Sequence, residues 1–138
     1  MSPTPTPETV HPNVLRLQTI YADLTRLEDF ATDSIVLHTA DRRIANRSVS
    51  GKEAVMRQER ELIRRTRNTL IMDTQHIAAN DFFGIALGTM RARMGTRDIE
   101  MPFCGLWRFR DGWITEHWEN AYDPLALRRL LTAGAART

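Results

Sequence analysis

The sequence is poor in cysteine, in long apolar runs and in net charge, and each shortage excludes a class of protein. Cys104 is the single cysteine among 138 residues, which excludes an internal disulfide and a cysteine-rich zinc site. No apolar run approaches the roughly 20 residues that span a bilayer. A formal net charge of +2, with arginines scattered along the chain, does not indicate nucleic acid binding.

Histidine pairs and targeting signals are also lacking. The four histidines include no close-spaced pair, which argues against a metal site. The N-terminal stretch has neither a basic nor an apolar segment, so we expect no signal peptide, a cytoplasmic location and no membrane partner. Alternating proline and threonine predict a disordered lead over residues 1–11. We expect a single domain over residues 12–132 and a frayed tail over residues 133–138.

The remaining pattern predicts an α+β domain with a meandering, mostly antiparallel sheet. Apolar residues at helical spacing predict a helix over residues 12–30, broken near Asp23, and a second helix that begins at a Ser50–Glu53 capping box. Strands are predicted over residues 34–39, 69–77, 82–94, 97–110 and 113–122. Asp123 and Pro124 predict the start of a short last helix.

Two short turns fix the register of the last three strands. A Gly95-Thr96 turn pairs Arg91 with Glu100 and Arg93 with Asp98, so these ion pairs mark the outer face. Continued through a type I′ turn at Asp111-Gly112, this register predicts an apolar inner face with two polar exceptions. We expect that face to hold Ala86, Gly88, Met90, Ala92, Met94, Ile99, Met101, Phe103, Gly105, Trp107, Phe109, Ile114, Glu116, Trp118 and Asn120.

At these positions the chain resembles the SnoaL-like branch of the nuclear transport factor 2-like superfamily. The resemblance is carried by Phe30-Ala31-Thr32-Asp33, by the stretch from Ser50 to Val55, and by the stretch from Leu106 to Trp118. It implies a cone-shaped, curved antiparallel sheet wrapped around N-terminal helices, with one deep pocket. Members include polyketide cyclases, ketosteroid isomerases, limonene-type epoxide hydrolases and non-catalytic binding modules, so the fold does not settle the function.

The family's catalytic residues transfer only in part. The position of the isomerase base falls at His38, and a neutral imidazole can shuttle a proton. The isomerase oxyanion acid falls at Gly105, which has no donor, and its tyrosine falls near Leu15, although Tyr21 can substitute from another turn. The epoxide hydrolase Arg-x-Asp pair falls near residues 91–93, which lack the carboxylate, and its second aspartate falls at Asn120.

These matches lead to a predicted site and function. We expect a cofactor-free cyclase or isomerase that moves protons on a hydrophobic, oxygenated substrate such as a polyketide or terpenoid intermediate. The predicted catalytic residues are His38, Glu116 and Asn120. The predicted substrate-binding residues are Tyr21, Met90, Met101, Phe103, Trp107 and Trp118.

The sequence is also compatible with other functions and with another facing of the last strand. One is a binding module for a small ligand or a protein, and another is an epoxide hydrolase in which Glu116, Glu119 or Asp41 supplies the carboxylate. A β-bulge in the last strand would turn His117 and Glu119 inward and Trp118 outward, whereas the simple register places them the other way. The resemblance also implies a homodimer through the outer sheet face. Asp41, Arg42 and Arg43 after the first strand are candidates to gate the pocket mouth, and are equally compatible with loop ion pairs.

Overall fold

The computed structural model describes residues 10–42 and 48–135. Most of the predicted N-terminal lead, Arg43 and the last three residues of the predicted tail lie outside these ranges. None of the helices in the described ranges is long and apolar enough to cross a membrane. In chain order the elements are α1 (Pro12–Ala22), a 3₁₀ helix (Leu24–Asp29), β1 (Ala31–His38), β2 (Ser48–Ser50), α2 (Lys52–Arg65), β3 (Ile71–Ala79), β4 (Phe83–Met94), β5 (Arg97–Arg110), β6 (Trp113–Ala121) and α3 (Pro124–Ala135).

The strands form one curved six-stranded sheet in the order β2-β1-β6-β5-β4-β3. All neighbours pair antiparallel except β1 and β6, which are parallel. Three long neighbouring strands, β4, β5 and β6, follow one another through short turns, as a meander requires. The predicted α+β class and cone-like sheet around N-terminal helices are confirmed.

The predicted turns and outer ion pairs are confirmed. Asp111 and Gly112 have φ angles of 51° and 83°, the two positive values that a type I′ turn needs. Opposite charges face each other across β4 and β5, with Arg93 Nε 2.9 Å from Asp98 Oδ1. This register leaves the alternate residues of both strands on the inner face.

The inner face forms the core with the helices, and burial of its apolar area is the main stabilising term of the fold. Leu17 and Ile20 of α1 and Val55 and Met56 of α2 are almost fully buried against it. The predicted inner-face residues that are buried here are Ala86, Met90, Ala92, Met94, Met101, Phe103, Trp107, Phe109 and Ile114. The pattern of alternation therefore identified the inside of β4, of β5 and of the start of β6.

Beyond Ile114 the predicted facing of β6 is wrong, because the strand contains a bulge. Phe109 pairs with Ile114 but Arg108 pairs with Glu116, so Thr115 is an extra residue on β6. One inserted residue exchanges the two faces of the strand. His117 and Glu119 therefore face inward, and the predicted inward positions of Glu116 and Trp118 are corrected to outward ones.

Two of the three predicted helix starts and breaks are confirmed. The Asp23 side chain accepts from the Thr25 backbone N–H between α1 and the 3₁₀ helix, and the Asp123 side chain accepts from the Ala126 N–H at the start of α3. The Ser50–Glu53 capping box is wrong. Gly51, with φ of 96°, precedes α2 there and no side chain caps the helix.

The outer face of the sheet carries exposed apolar side chains beside its ion pairs. Phe83, Ile85 and Leu87 follow one another on the outer side of β4 and are each more than a third exposed. A polar and apolar mixture of this kind is compatible with both solvent and a second subunit. The homodimer through this face stays a prediction, which light scattering of the purified chain would check.

Candidate functional site

An open cavity of about 380 Å³ lies between the inner face of the sheet and the helices. Most of its wall is apolar, with Ile20, Leu24 and Leu27 from the N-terminal helices opposite Met90 and Phe103 from the sheet. A cavity of this size and lining is typical of sites for small organic molecules. Its polar lining comprises Tyr21, Thr39, Asp41, Gln58, Glu59, Glu61, Arg65, Cys104, Trp107, His117, Glu119, Asn120, Arg128 and Thr132.

Two carboxyl groups meet inside this cavity. Glu59 projects from the buried side of α2 and Glu119 from the inner side of β6, and a hydrogen bond joins their side chains. Burial, the nearby charge of Glu119 and this hydrogen bond raise the pKa of Glu59 well above its ordinary value. Burial also raises the pKa of Glu119, to about 7, against the opposing effect of the hydrogen bond from Glu59.

The two pKa shifts define one protonation pattern near neutral pH. Two carboxylates in contact cannot both ionise readily, so the pair retains a shared proton. Glu59 keeps its proton and donates it in the hydrogen bond, while Glu119 is poised between its neutral and charged forms. A carboxyl with a pKa near the working pH is suited to both taking up and releasing a proton.

The Tyr21 hydroxyl also lines the cavity and lies next to Gly105, the strand partner of Glu119. Trp107 Nε1 donates to the Tyr21 hydroxyl at 3.0 Å, and the two rings meet edge to face. Burial raises the pKa of Tyr21 and the bond from Trp107 lowers it, so the hydroxyl stays neutral. Because its oxygen already accepts from the indole, its own proton is available for a ligand.

The lack of a side chain at Gly105 leaves the room that the Tyr21 hydroxyl occupies. A Cβ atom on Gly105 would lie 2.0 Å from the Tyr21 hydroxyl oxygen and 3.1 Å from Trp107 Nε1. The tyrosine oxygen therefore fills the space that a side chain at position 105 would take. The family's acid at this position is absent, and the Tyr21 hydroxyl, carried by α1, stands in the same space.

His117 completes the inner wall as a neutral ring. Its Nδ1 donates to the Leu106 carbonyl oxygen at 3.0 Å, and its ring stacks on Trp107 with centroids 3.4 Å apart. Burial lowers the pKa of His117 to about 3, and the hydrogen bond to Leu106 opposes this only in part. With the proton fixed on Nδ1, Nε2 is an acceptor at any pH near neutrality.

The structure brings five of the nine predicted site residues together at the cavity and places the other four elsewhere. Tyr21, Met90, Phe103, Trp107 and Asn120 line the cavity, whereas Met101 is a buried core residue outside the lining. The predicted catalytic pair His38 and Glu116 and the predicted wall residue Trp118 lie outside it. Their positions follow from the parallel register, which places Leu37 beside His117 on the inside and His38 beside Trp118 on the outside.

The two predicted catalytic residues His38 and Glu116 do contact each other, but on the outer face of the sheet. His38 Nε2 lies 2.5 Å from Glu116 Oε2, and the imidazole stacks on Trp118 with centroids 5.2 Å apart.

Asn120 lines the cavity, and both the oxygen and the nitrogen of its amide are hydrogen-bonded to the protein. Its Oδ1 accepts from Arg42 at 2.5 Å and its Nδ2 donates to the Cys104 carbonyl at 3.0 Å. These two bonds give Asn120 a structural role, whereas its role in orienting the substrate stays a prediction.

Sequence reasoning missed Glu59 and placed His117 and Glu119 on the wrong face. A signal for Glu59 was present, since it falls three and four residues after Met56 and Val55 and so lies on the apolar stripe of α2. The arginines around it are typical of a solvated helix face and obscure this signal. A carboxyl within an apolar helical stripe indicates either a buried partner or a site.

No cluster of three or more histidine, cysteine, aspartate or glutamate side chains in residues 10–42 and 48–135 is arranged to hold a metal ion.

Comparison with known proteins gives the family. The SnoaL-like domain profile matches residues 20–117. The fold is similar to Bal32a from a soil-derived mobile gene cassette, with a TM-score of 0.76 and 23% identity over 87% of this chain and 96% of that one. It is also similar to a candidate SnoaL-like polyketide cyclase from Jannaschia sp. CCS1, with a TM-score of 0.73 and 13% identity over 94% of this chain and 99% of that one.

A third similar structure is TerC, co-crystallised with polyporic acid. Its TM-score is 0.72, and the identity is 13% over 88% of this chain and 99% of that one. A search of curated proteins found no significant match. Identities this low show a shared fold, whereas the profile covers most of the chain. The chain therefore belongs to the SnoaL-like domain family of the nuclear transport factor 2-like superfamily.

Proposed function

We propose that this protein is a small-molecule enzyme that isomerises or cyclises a hydrophobic, oxygenated substrate by proton transfer. The observation that carries the proposal is the hydrogen-bonded pair of Glu59 and Glu119 in a largely apolar cavity, with the pKa of Glu119 at about 7. The candidate polyketide cyclase among the similar folds agrees with this class of substrate.

The arrangement supports a complete proton transfer without a cofactor. The Glu119 carboxylate removes a proton from a carbon next to a substrate carbonyl, and the electron pair moves onto the carbonyl oxygen as an enolate. The Tyr21 hydroxyl, polarised by the bond from Trp107, donates to that oxygen. In a substrate with a carbon–carbon double bond beyond that carbon, the enolate is a dienolate. Glu119 then returns the proton to the far carbon of the dienolate, the carbonyl re-forms and the double bond moves into conjugation, which completes an isomerisation.

A cyclisation uses the same groups. The enolate carbon attacks a second carbonyl of the same substrate, one carbon–carbon bond forms, and the resulting alkoxide takes its proton from Glu119. Glu59 donates its hydrogen bond to Glu119 whenever that carboxylate is charged, which stabilises the base inside an apolar cavity. His117 Nε2 is an acceptor for a substrate hydroxyl.

Deuterium exchange tests the proposal before the substrate is known. The enzyme is incubated in D₂O with a panel of hydrophobic ketones and 1,3-diketones, and wash-in at the carbon next to the carbonyl is followed by NMR. We expect catalysed exchange that falls by about 10²- to 10⁴-fold in Glu119→Gln. Glu116→Gln is the matched control, because Glu116 lies on the same strand and faces outward.

The result that contradicts the proposal is equal exchange by the wild type and Glu119→Gln. Binding of panel ketones without exchange in any variant would favour the alternative of a non-catalytic binding module. Thermal unfolding of each variant shows whether a loss of exchange reflects a loss of fold.

Epoxide hydrolysis is the second candidate, because the cavity holds a neutral and an ionisable carboxyl together. Glu119 would take a proton from water as the water oxygen bonds to one epoxide carbon, and Glu59 would protonate the oxygen that leaves the carbon. Incubation with an epoxide panel in H₂¹⁸O distinguishes it, since this route gives a diol with one labelled oxygen at a rate above that without enzyme, and the added rate is lost in Glu119→Gln.

A further inference from the structure

Arg42, four residues after the end of β1, donates four hydrogen bonds, three of them to Thr39, Glu119 and Asn120, which line the cavity. Its Nη1 donates to the carbonyl oxygens of His38 at 3.2 Å, Thr39 at 2.9 Å and Glu119 at 2.7 Å, and its Nη2 donates to Asn120 Oδ1 at 2.5 Å. The guanidinium is thus held by the ends of two different strands. Its planar fork suits this geometry, because separate N–H groups reach separate acceptors.

These contacts begin where the backbone ladder ends. The parallel pairing of β1 with β6 ends at the pair His38 and Trp118. Glu119 is the next residue on β6, and its carbonyl oxygen accepts from Arg42 instead of from β1. The side chain therefore replaces a strand partner at the residue whose carboxyl meets Glu59.

The positive charge of Arg42 is not neutralised by a carboxylate among the described residues. No ion pair of Arg42 occurs in the described parts of the chain, and its partners there are carbonyl and amide oxygens. The positive charge acts on the nearby cavity instead. It lowers the pKa of Glu119, while Asp41, the preceding residue, raises it.

We propose that Arg42 is a positioning residue for the carboxyl pair: it clamps the end of β6 so that Glu119 meets Glu59, and it holds a positive charge beside them. The other charged or titratable groups that act on or respond to Glu119 are Glu59 on α2, Asp41 after β1 and Tyr21 on α1. His117 lies on the same strand and stays neutral. The catalytic consequence rests on the proposed function, whereas the positioning does not.

Carboxyl titration by NMR tests the inference without any substrate. The protein is labelled with ¹³C-glutamate, the Glu119 and Glu59 signals are assigned with Glu119→Gln and Glu59→Gln, and titration midpoints are measured. We expect Arg42→Gln to raise the Glu119 midpoint by about one pH unit, the low end of the effect of a neighbouring opposite charge. Asp41→Asn is the matched control, and it should lower the same midpoint.

Arg42→Lys separates the clamp from the charge. Lysine keeps the charge but lacks the planar fork, so the Glu119 midpoint should stay within about 0.3 units. Amide hydrogen exchange of Asn120 and Ala121 at the end of β6 should become at least about tenfold faster, because the clamp is lost. If Arg42→Gln does not fold, the amide exchange of Arg42→Lys tests the inference by itself.

Two results overturn the inference. One is an unchanged Glu119 midpoint in a folded Arg42→Gln, which shows that the arginine is structural only. The other is unchanged amide exchange in Arg42→Lys, which shows that the clamp does not hold β6. Neither readout depends on turnover, so a failure of the proposed function, seen as full exchange activity in Glu119→Gln, is recognised separately.

Discussion

Glu59 of α2 and Glu119 of β6 share a hydrogen bond inside the cavity, which links a helix to the sheet as the bond between Tyr21 and Trp107 does. The bond requires a proton between two buried carboxyls. Folding therefore creates a proton-binding site that the unfolded chain lacks. Both the proposed catalysis and the pH dependence of stability follow from this one relationship.

The free energy of unfolding should fall as the pH rises through neutrality. Both carboxyls have raised pKa values in the folded state, so the native chain binds more protons than the unfolded chain above the ordinary glutamate pKa. This stability contribution is complete below that ordinary pKa and is lost as the pH rises through the folded values. Each extra native proton contributes a slope of about 1.4 kcal/mol per pH unit.

Urea unfolding from pH 6.5 to 8.5 measures this effect. In Glu59→Gln/Glu119→Gln the free energy of unfolding should decline less steeply than in the wild type, since the titrating pair is gone. Glu53→Gln on the exposed first turn of α2 is the control and should follow the wild type. Parallel curves for the wild type and the double variant would show that the pair does not bind its extra proton.

His117 should remain neutral when exposed histidines are protonated. Burial lowers the pKa of His117 to about 3, so its contribution to stability is present above the ordinary histidine pKa and is lost as the pH falls from about 6.5 toward 3. Long-range ¹H–¹⁵N spectra should show a proton on Nδ1 and none on Nε2 from pH 8 to pH 4. A change of the Nε2 shift near pH 6.5 would contradict this assignment.

The bond between Trp107 and Tyr21 should appear as a coupling energy. Tyr21→Phe leaves the buried Trp107 N–H unpaired, which costs about 1–3 kcal/mol in the free energy of unfolding. Trp107→Phe removes the donor and also some packing. In the double-mutant cycle we expect a coupling of roughly 0.5–1.5 kcal/mol, and strictly additive effects would show that the bond contributes nothing to stability.

Gly105→Ala should displace Tyr21 and reduce the stability of the fold. The added Cβ would lie 2.0 Å from the tyrosine oxygen, so we expect an overpacking cost of about 1–3 kcal/mol. Tyr21→Phe removes the atom that clashes, so the double variant should lose less than the sum of the two single changes. Melting temperatures measure both, and an equal or larger loss in the double variant would contradict the explanation.

His38→Ala distinguishes the outer pair from the inner one. The His38–Glu116 contact lies on the outer face, so the variant should retain deuterium exchange within about threefold of the wild type, a change below ~1 kcal/mol in the barrier. The sequence resemblance alone predicts the opposite, a complete loss. Loss of exchange in a folded His38→Ala would restore His38 as the catalytic residue.

The sequence alone was sufficient for most of the scaffold. Alternation of apolar and polar residues, together with Asp111-Gly112 and the opposed charges of Arg93 and Asp98, determined the register of β4 and β5 and the first residues of β6. These signals are local, and a two-residue turn has little freedom in how it joins two strands. The cavity wall residues Met90, Phe103 and Trp107 followed from the same patterns, whereas Tyr21 followed from the family resemblance.

The inner face of β6 was decided by tertiary structure. After Ile114 the strand reads Thr-Glu-His-Trp-Glu-Asn, in which neither set of alternate residues is clearly apolar, so periodicity cannot choose the face. The choice depends on the bulge at Thr115 and on what each face meets: Leu37 beside His117 inside, and His38 beside Trp118 outside. Glu119 could be recognised as a site residue only from the tertiary structure, because the burial that raises its pKa to about 7 and the hydrogen bond from Glu59 that opposes this rise exist only in the folded chain.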